Sequence, residues 1–390
     1  MYSCIVIGLS DDPRQSLAPE AIDAISHATV FSGGRRHHDL VAHLLPDDCV
    51  WIEISSPLSD VFRCYDDYDD IVIFASGDPF FYGFASTIQR ERPDCRLTVF
   101  PTFNSLQLLA HRLAIPYQDL CAVSLTGRPW CRFDEALISG QPLIGVLTDR
   151  VKSPHTIVAR MSEFGYDNYD VFVGERLGND DAERVGLYDC GREYASPNCL
   201  ILRRVRQRHR FFGIPDEQFH LLDGRSKMIT KMPIRLAALS ALDLRQRVSF
   251  WDVGFCTGSV SIEAKLQFPH LQVSSFEIRP EGQKLMSLNS RKFGAPGIGC
   301  VIGDFLQADL SLLPAPDAVF VGGHGGRLAD VLSRVRSALQ PGGVVVFNSV
   351  QDESRALFLA TAKSLGMNCA EFCSLVVDGG NLIHILRAWI

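Results

Sequence analysis

Long hydrophobic runs are missing: no apolar stretch in the 390 residues approaches the roughly 18–20 needed to cross a bilayer, so no membrane-spanning helix is expected. Met1–Gly8 has no basic region and reads directly as a strand, so no signal peptide is expected. Positive charge is in deficit, with 38 Lys+Arg against 45 Asp+Glu and a net charge of −7. No basic stripe is interleaved with aromatics either, which argues against a nucleic-acid partner. The 12 cysteines include no Cys-x-x-Cys pair, and the closest two are Cys369 and Cys373. Structural zinc needs clustered ligands, so no metal site is expected, and the thiols read as reduced cysteines of a cytoplasmic enzyme. His37 and His38 are adjacent, about 100° apart on a helix, and read as structural or substrate-facing rather than as a metal pair.

What is present is an ordinary folding composition. With 46% hydrophobic and 21% charged residues the chain is not disordered, and its length predicts two or three domains. The charge is divided unevenly. Residues 1–205 hold 18 Lys+Arg and 29 Asp+Glu, a net of −11, and residues 206–390 carry a net of +4. The change falls at Arg203–Arg210, before the turn-rich Phe211–Asp216. We expect one domain over 1–205, a linker over 206–222 and a second domain over 223–390. The basic run reads as a solvated connector, or as a greeting for an anionic substrate.

Both halves read as α/β. Strand candidates in the first are Cys4–Ile7, Ile71–Ala75, Leu97–Phe100 and Leu143–Leu147, with an amphipathic helix at Ser105–Leu113. Strand and helix signals alternate, which predicts a mostly parallel sheet. In the second half, strands are expected at Val248–Val253, Val273–Ile278, Cys300–Ile302, Ala318–Val321 and Val344–Asn348. Helices are expected at Ser259–Gln267, Glu281–Phe293, Leu328–Leu339 and Asp352–Leu365, before two last strands at Ala370–Val377 and Leu382–Trp389.

The second half carries the more readable site. Asp252-Val253-Gly254-Phe255-Cys256-Thr257-Gly258 runs from a strand into a helix. Glycines there allow a tight turn and a close ligand, and the helix start offers free N–H groups. Glu277, 23 residues after Gly254, ends the next strand and can accept hydrogen bonds from ribose hydroxyls. Asp304 ends the third strand, in position for an adenine edge. Together these predict a nucleoside site. The alternative is a buried turn plus two surface carboxylates, Glu277 beside Arg279.

A dinucleotide fold wants Gly-x-Gly-x-x-Gly, and Cys256 interrupts the glycines here. The loop instead resembles the first motif of Rossmann-like methyltransferases, which bind S-adenosylmethionine (SAM); Cys256 stands where their loop has another glycine. Gly224-Arg225-Ser226-Lys227-Met228-Ile229-Thr230-Lys231, Phe320–Gly326 and Val346-Phe347-Asn348-Ser349-Val350 resemble the decarboxylating methyltransferase domain of cobalamin (vitamin B12) synthesis. In that family the Ile-Thr-Lys segment and the loop after the fourth strand, with Gly322, surround the SAM pocket. By this resemblance Thr230, Lys231 and His324 are the catalytic candidates. His324 stands where members more often carry a small polar residue, and reads equally as a partner for a substrate carboxylate or as a structural histidine.

In the first half, Ser32–His37, Ala75-Ser76-Gly77-Asp78-Pro79-Phe80-Phe81-Tyr82-Gly83, Thr126–Pro129, Leu147–Asp149 and Val173–Gly178 resemble the tetrapyrrole methylases that act on precorrins. Asp78-Pro79 suits a helix start with Asp as N-cap. The resemblance implies two α/β subdomains with SAM in the cleft between them, met by Gly8, Gly77, Asp78, Tyr82 and Gly83. The family's Gly-x-Gly-Pro-Gly opening is Gly8-Leu9-Ser10-Asp11-Asp12 here, which points this loop toward substrate.

The two resemblances cover about 1–205 and 220–390, and their fusion resembles the precorrin-6Y C5,15-methyltransferase (decarboxylating) family. That implies a tetrapyrrole methylase fold followed by a Rossmann-like sheet. It further implies SAM as cofactor, a tetrapyrrole as substrate and a homo-oligomer. C5 methylation is assigned to the first domain, with C15 methylation and loss of the C12 acetate carboxylate in the second. A cobalt-containing substrate, a nicotinamide-dependent reductase and a scaffold with only one active SAM site are the alternatives.

Overall fold

The computed structural model describes residues 3–224 and 228–390. Arg225, Ser226 and Lys227 of the quoted segment lie outside them. Two compact units emerge. The first runs to Arg128 and adds Pro142–Ile157 and Tyr169–Val205; the second takes Pro129–Gln141, Val158–Asn168 and Arg206–Ile390. Two short stretches of the first half thus group with the second.

The first unit opens with β1 (Ser3–Leu9), β2 (Val30–Gly33), β3 (Val50–Glu53), β4 (Asp70–Ser76) and β5 (Arg96–Phe100). Their order is β3-β2-β4-β1-β5, and every neighbouring pair is parallel. Helices α1 (Pro19–His27) and α2 (Arg35–Val41) cover one face, packing Ile25 and Leu40 on Ile7, Leu9 and Phe74. Helices α3 (Leu58–Tyr65) and α4 (Phe84–Glu91) cover the other, packing Phe62 and Ile88 on Cys4, Val6 and Ile73. A sheet buried on both faces explains why β1 and β4 read as unbroken apolar runs.

After α5 (Ser105–Arg112) comes a second sheet of β6 (Cys121–Ser124), β7 (Leu143–Leu147), β8 (Tyr169–Glu175), β9 (Arg184–Leu187) and β10 (Asn198–Arg204). Asn104 and Gln107 form a reciprocal capping box at the start of α5, at 3.0 Å each way. The sheet order is β6-β7-β10-β8-β9, and only β6–β7 is parallel. The expectation of a mostly parallel first half therefore holds for the first sheet and fails for the second. No helix separates β8, β9 and β10, and antiparallel pairing needs none.

The second unit contains α6 (Cys131–Ile138) and the C-terminal part of α7 (Pro154–Glu163). Arg160 binds both oxygens of Asp134 at 2.7 Å, and the Tyr166 hydroxyl donates to the Gly294 carbonyl at 2.8 Å. The basic run is engaged in the same unit: Arg208 donates to the Phe164 carbonyl at 2.9 Å, and Arg210 to the Tyr166 hydroxyl at 2.7 Å.

After α8 (Met232–Leu242) the strands are β11 (Ser249–Val253), β12 (Gln272–Glu277), β13 (Ile298–Ile302), β14 (Ala318–Val321), β15 (Val344–Ser349), β16 (Asn368–Val376) and β17 (Leu382–Trp389). Their order is β13-β12-β11-β14-β15-β17-β16, with β17 antiparallel to both neighbours and the first five strands parallel. Helix α8 and α9 (Ser259–Gln267) pack on Phe250, Ala318 and Val346. On the opposite face α11 (Leu328–Ala338) and α12 (Asp352–Ser364) pack on Trp251, Val319 and Phe347. Helix α10 (Glu281–Phe293) follows β12. The strand order reverses between β11 and β14, and in such sheets the crevice beyond the carboxyl ends at that point receives ligands. Among the described residues, no helix is long and apolar enough to cross a membrane.

Candidate active sites

A cavity of about 660 Å³ occupies that crevice. Its floor is the loop from β11 to α9. Gly254 has φ +80°, and a Cβ there would lie 2.5 Å from the Gly323 nitrogen. The Gly322 and Gly323 N–H groups both donate to the Val253 carbonyl, at 2.8 and 3.2 Å, so the loop after β14 closes tightly over β11. Cys256 adopts φ +51°, a conformation glycine takes without strain.

The acids at the strand ends face the same cavity. Glu277 is only 4% exposed, which removes the surface reading. Its Oε2 accepts the Cys256 N–H at 2.9 Å and its Oε1 accepts the Arg279 N–H at 3.1 Å. Asp304 accepts from Arg327 at 2.9 Å and from the Leu306 N–H at 3.0 Å, and the Arg327 bond holds its carboxyl below the usual range. Gly254, Glu277, Asp304, Gly322, His324, Thr230 and Lys231 all line the cavity. Asp252, Thr257 and Gly258 do not. Asp252 is fully buried, accepts from Ser261 N and Oγ at 3.1 and 2.5 Å, and is pushed up to about 7 by burial. Thr257 is buried inside the loop, and Gly258 (φ +75°) leaves room for Met286 at the start of α9. These three shape the loop from behind.

The other half of the cavity lies at the ends of β14, β15 and the β16–β17 turn. His324 stands edge-on to Phe347 at 5.7 Å, its Nδ1 is buried without a partner, and burial lowers its pKa. The neutral ring is therefore the resting form near pH 7. Asn348 lines the same wall with both side-chain polar atoms unpartnered. It stood in a quoted motif but not among the expected site residues. Orphaned buried polar atoms at a cavity wall suit a polar ligand, since leaving them unpaired is costly. Beneath Thr230, Arg235 is fully buried; it donates to the Thr230 carbonyl at 2.9 Å and pairs with buried Glu263 at 3.3 Å. Glu263 also accepts the Gly213 and Ile214 N–H groups at 3.0 and 2.9 Å. Sequence reasoning missed this brace, although a charge on the core face of each of α8 and α9 was the signal for it.

A second cavity, of about 490 Å³, lies in the first unit. Gly77, Tyr82 and Gly83 line it, and Gly8 and Asp78 do not. Gly8 is required for close packing, since a Cβ there would sit 2.0 Å from the Gly77 carbonyl oxygen. Asp78 is not a helix N-cap. Its Oδ1 accepts the Phe80 N–H at 2.9 Å in a turn, and α4 begins only at Phe84. The left-handed conformations of Gly77 (φ +62°) and Tyr82 (φ +54°) hold the chain out of a helix until Gly83. The Tyr82 hydroxyl donates to the Ala122 carbonyl at 2.9 Å. Ser10, Asp11, Arg36, His37 and Ser76 complete one wall.

Family models match both halves: Tetrapyrrole (Corrin/Porphyrin) Methylases over residues 3–187 and Precorrin methyltransferase domain over residues 222–389. The class is thus a tetrapyrrole methylase module joined to a precorrin methyltransferase module. A decarboxylating precorrin-6Y C(5,15)-methyltransferase of Sinorhizobium sp is 32% identical over 369 residues, covering 93% of this chain and 88% of the relative. The chain belongs to the precorrin-6Y C5,15-methyltransferase (decarboxylating) family. The chain is also 37% identical over 159 residues to a decarboxylating cobalt-precorrin-6B C(15)-methyltransferase of Salmonella typhimurium, covering 40% of this chain and 80% of that one. A solved precorrin-6y C5,15-methyltransferase of Geobacter metallireducens is 30% identical, covering 45% of this chain and 96% of that one, with a TM-score of 0.42.

Proposed function

We propose that this chain methylates a precorrin at C5 and C15 with SAM as methyl donor, and removes the carboxylate of the C12 acetate, in cobalamin biosynthesis. The observation that carries the reading is the pair of cavities, one in each unit, each bounded by a glycine loop at the carboxyl ends of parallel strands. The residues of the second unit's cavity fit SAM. Gly254 leaves the loop backbone open, Glu277 stands at the next strand end, and a wall of Val253, Phe276 and Phe305 is apolar. When bound, SAM supplies a sulfonium-activated methyl group.

The chain's own part is to orient and to exclude water. Glu277 orients the ribose end. Lys231, 3.7 Å from Asp216, offers a cation to a substrate carboxylate. Neutral His324 and Asn348 give the substrate half its polar contacts. The macrocycle's conjugated imines take up the electrons left by decarboxylation, so the chain need supply no further electron sink. The first unit, centred on 1–205, carries C5 methylation, and the domain over 223–390 carries C15 methylation and decarboxylation. The enzyme works in the cytoplasm, as a homo-oligomer by family analogy.

Mass spectrometry of products from cobalt-free and cobalt-loaded precorrin-6B tests the reading. Two added methyl groups and one lost carbon dioxide are expected, and the better substrate tells whether cobalt is already present. Added methyl groups without carbon dioxide loss would overturn the decarboxylating role.

A further inference from the structure

The wall of the first unit's cavity holds a hydrogen-bond chain whose last proton has no acceptor among the described residues. The Gly34 N–H donates to His37 Nδ1 at 3.2 Å. Nδ1 is therefore the bare nitrogen, and the ring proton sits on Nε2. His37 is pushed down to about 4, first by burial and then by Arg36, so the ring is neutral near pH 7. Its Nε2–H donates to Ser76 Oγ at 2.9 Å, and Arg36 Nη2 donates to the same oxygen at 2.7 Å. Two donors occupy both lone pairs of that oxygen. The Ser76 hydroxyl must donate its own proton elsewhere, and Ser76 is an exposed part of the cavity wall.

Asp11 is 4% exposed and is met by two guanidinium groups, Arg36 Nη1 at 2.5 Å and Arg176 Nε at 2.8 Å. Arg176 lies outside the cavity lining, so Asp11 has a second cation behind it and does not rely on Arg36 alone. A hydroxyl polarised by two donors beside an arginine favours an anionic acceptor.

We propose that Ser76 and Arg36 form a carboxylate-receiving site in this cavity, with the Ser76 hydroxyl aimed by His37. This rests on the reading that the cavity holds the methylation substrates. Two ligands carry the required group: the tetrapyrrole, through a peripheral carboxylate, and SAM, through its methionine end.

The test uses the full chain with Ser76→Ala and Ser76→Thr. C5 and C15 methylation are followed by mass spectrometry, and S-adenosylhomocysteine binding by calorimetry. Losing one charge-assisted hydrogen bond should raise the tetrapyrrole KM for C5 methylation about 10- to 100-fold, with kcat changed less. Ser76→Thr should restore it, and C15 methylation reports that the protein is folded. A matching fall in S-adenosylhomocysteine affinity at one of two sites, with KM steady, assigns the carboxylate to the cofactor and supports the site. Unchanged values in both assays overturn the proposal, as does an equal defect in Ser76→Thr. If the unmutated protein makes no C5 product, the reading of the cavity fails, and the calorimetric arm still decides the carboxylate site.

Discussion

Glu277 holds Cys256 by its backbone: Oε2 accepts the Cys256 N–H at 2.9 Å, across from a residue at φ +51°. One carboxylate thus pins the glycine loop to the end of the neighbouring strand and also faces the cavity. Replacing it removes both roles. Glu277→Ala should weaken SAM at this site by about 2–4 kcal/mol, roughly 30- to 1000-fold, with Glu277→Gln in between. Calorimetry should find the site in the first unit untouched. Unchanged affinity at both sites would remove Glu277 from the binding residues.

The other partner of that bond tests backbone strain. A non-glycine residue in the left-handed region costs about 1–2 kcal/mol, and more when β-branched. Cys256→Gly relieves the strain but frees the unfolded chain and loses a buried thiol, so stability should stay within about 1 kcal/mol of the parent. Cys256→Val should lose about 2 kcal/mol or more. Urea denaturation followed by tryptophan fluorescence compares them; equal stability of the two variants would show that loop strain is not the controlling factor.

Much of the second unit's sheet was legible because its parallel strands are buried on both faces. Trp251, Val319 and Val345 pack into one apolar cluster, and helices α10 and α11 bury one stripe of residues each. The strands from β8 to β10 were not legible. β9 is four residues long with both ends exposed, the buried run Cys199–Leu202 of β10 carries no alternation, and no helix separates the three strands. The site divides in the same way. Gly254 and Glu277 announce themselves by spacing along the chain. The meeting of Arg235 with Glu263, or of Arg36 and His37 with Ser76, depends on tertiary contacts that no local pattern encodes. Asp78 misled because its N-cap chemistry serves a turn here.

Arg235 and Glu263 are both fully buried. Removing one partner of such a pair strands the other charge in the core, at a cost of about 3–5 kcal/mol. Glu263→Ala should therefore destabilise the second unit by that amount. It should also loosen Thr230, whose carbonyl Arg235 holds. Chemical denaturation measures the first effect, and a loss below about 1 kcal/mol would show that the pair is poorly coupled.

Asp252 sets a pH dependence with a definite sign. Its folded pKa is raised by burial to about 7 from an ordinary 3.8. Between those values the folded state holds a proton that the unfolded state has released, so this group's contribution to stability is full below about 4 and declines as pH rises to about 7. Asp252→Asn should flatten that part of the profile. Denaturation midpoints at several pH values check it, and an identical slope in the variant would place the titration elsewhere.

The last prediction concerns independence of the two sites. Gly77 has φ +62°, and a Cβ there would lie 2.8 Å from the Asn104 Cα, a backbone atom that cannot yield cheaply. Its N–H donates to the Leu9 carbonyl at 2.8 Å, so the residue joins the ends of β4 and β1 beside the first unit's cavity. Gly77→Val combines a clash, a β-branched side chain in the left-handed region and a displaced loop. C5 methylation should fall by at least about 100-fold, a loss of roughly 3 kcal/mol of transition-state stabilisation. On the proposed division of labour, C15 methylation and decarboxylation belong to the other cavity, whose lining contains no residue of the first unit, and should persist. Product mass separates the outcomes, with one added methyl group and one lost carbon dioxide expected. Circular dichroism confirms folding. Loss of both methylations in a folded variant would mean that the two sites act as one.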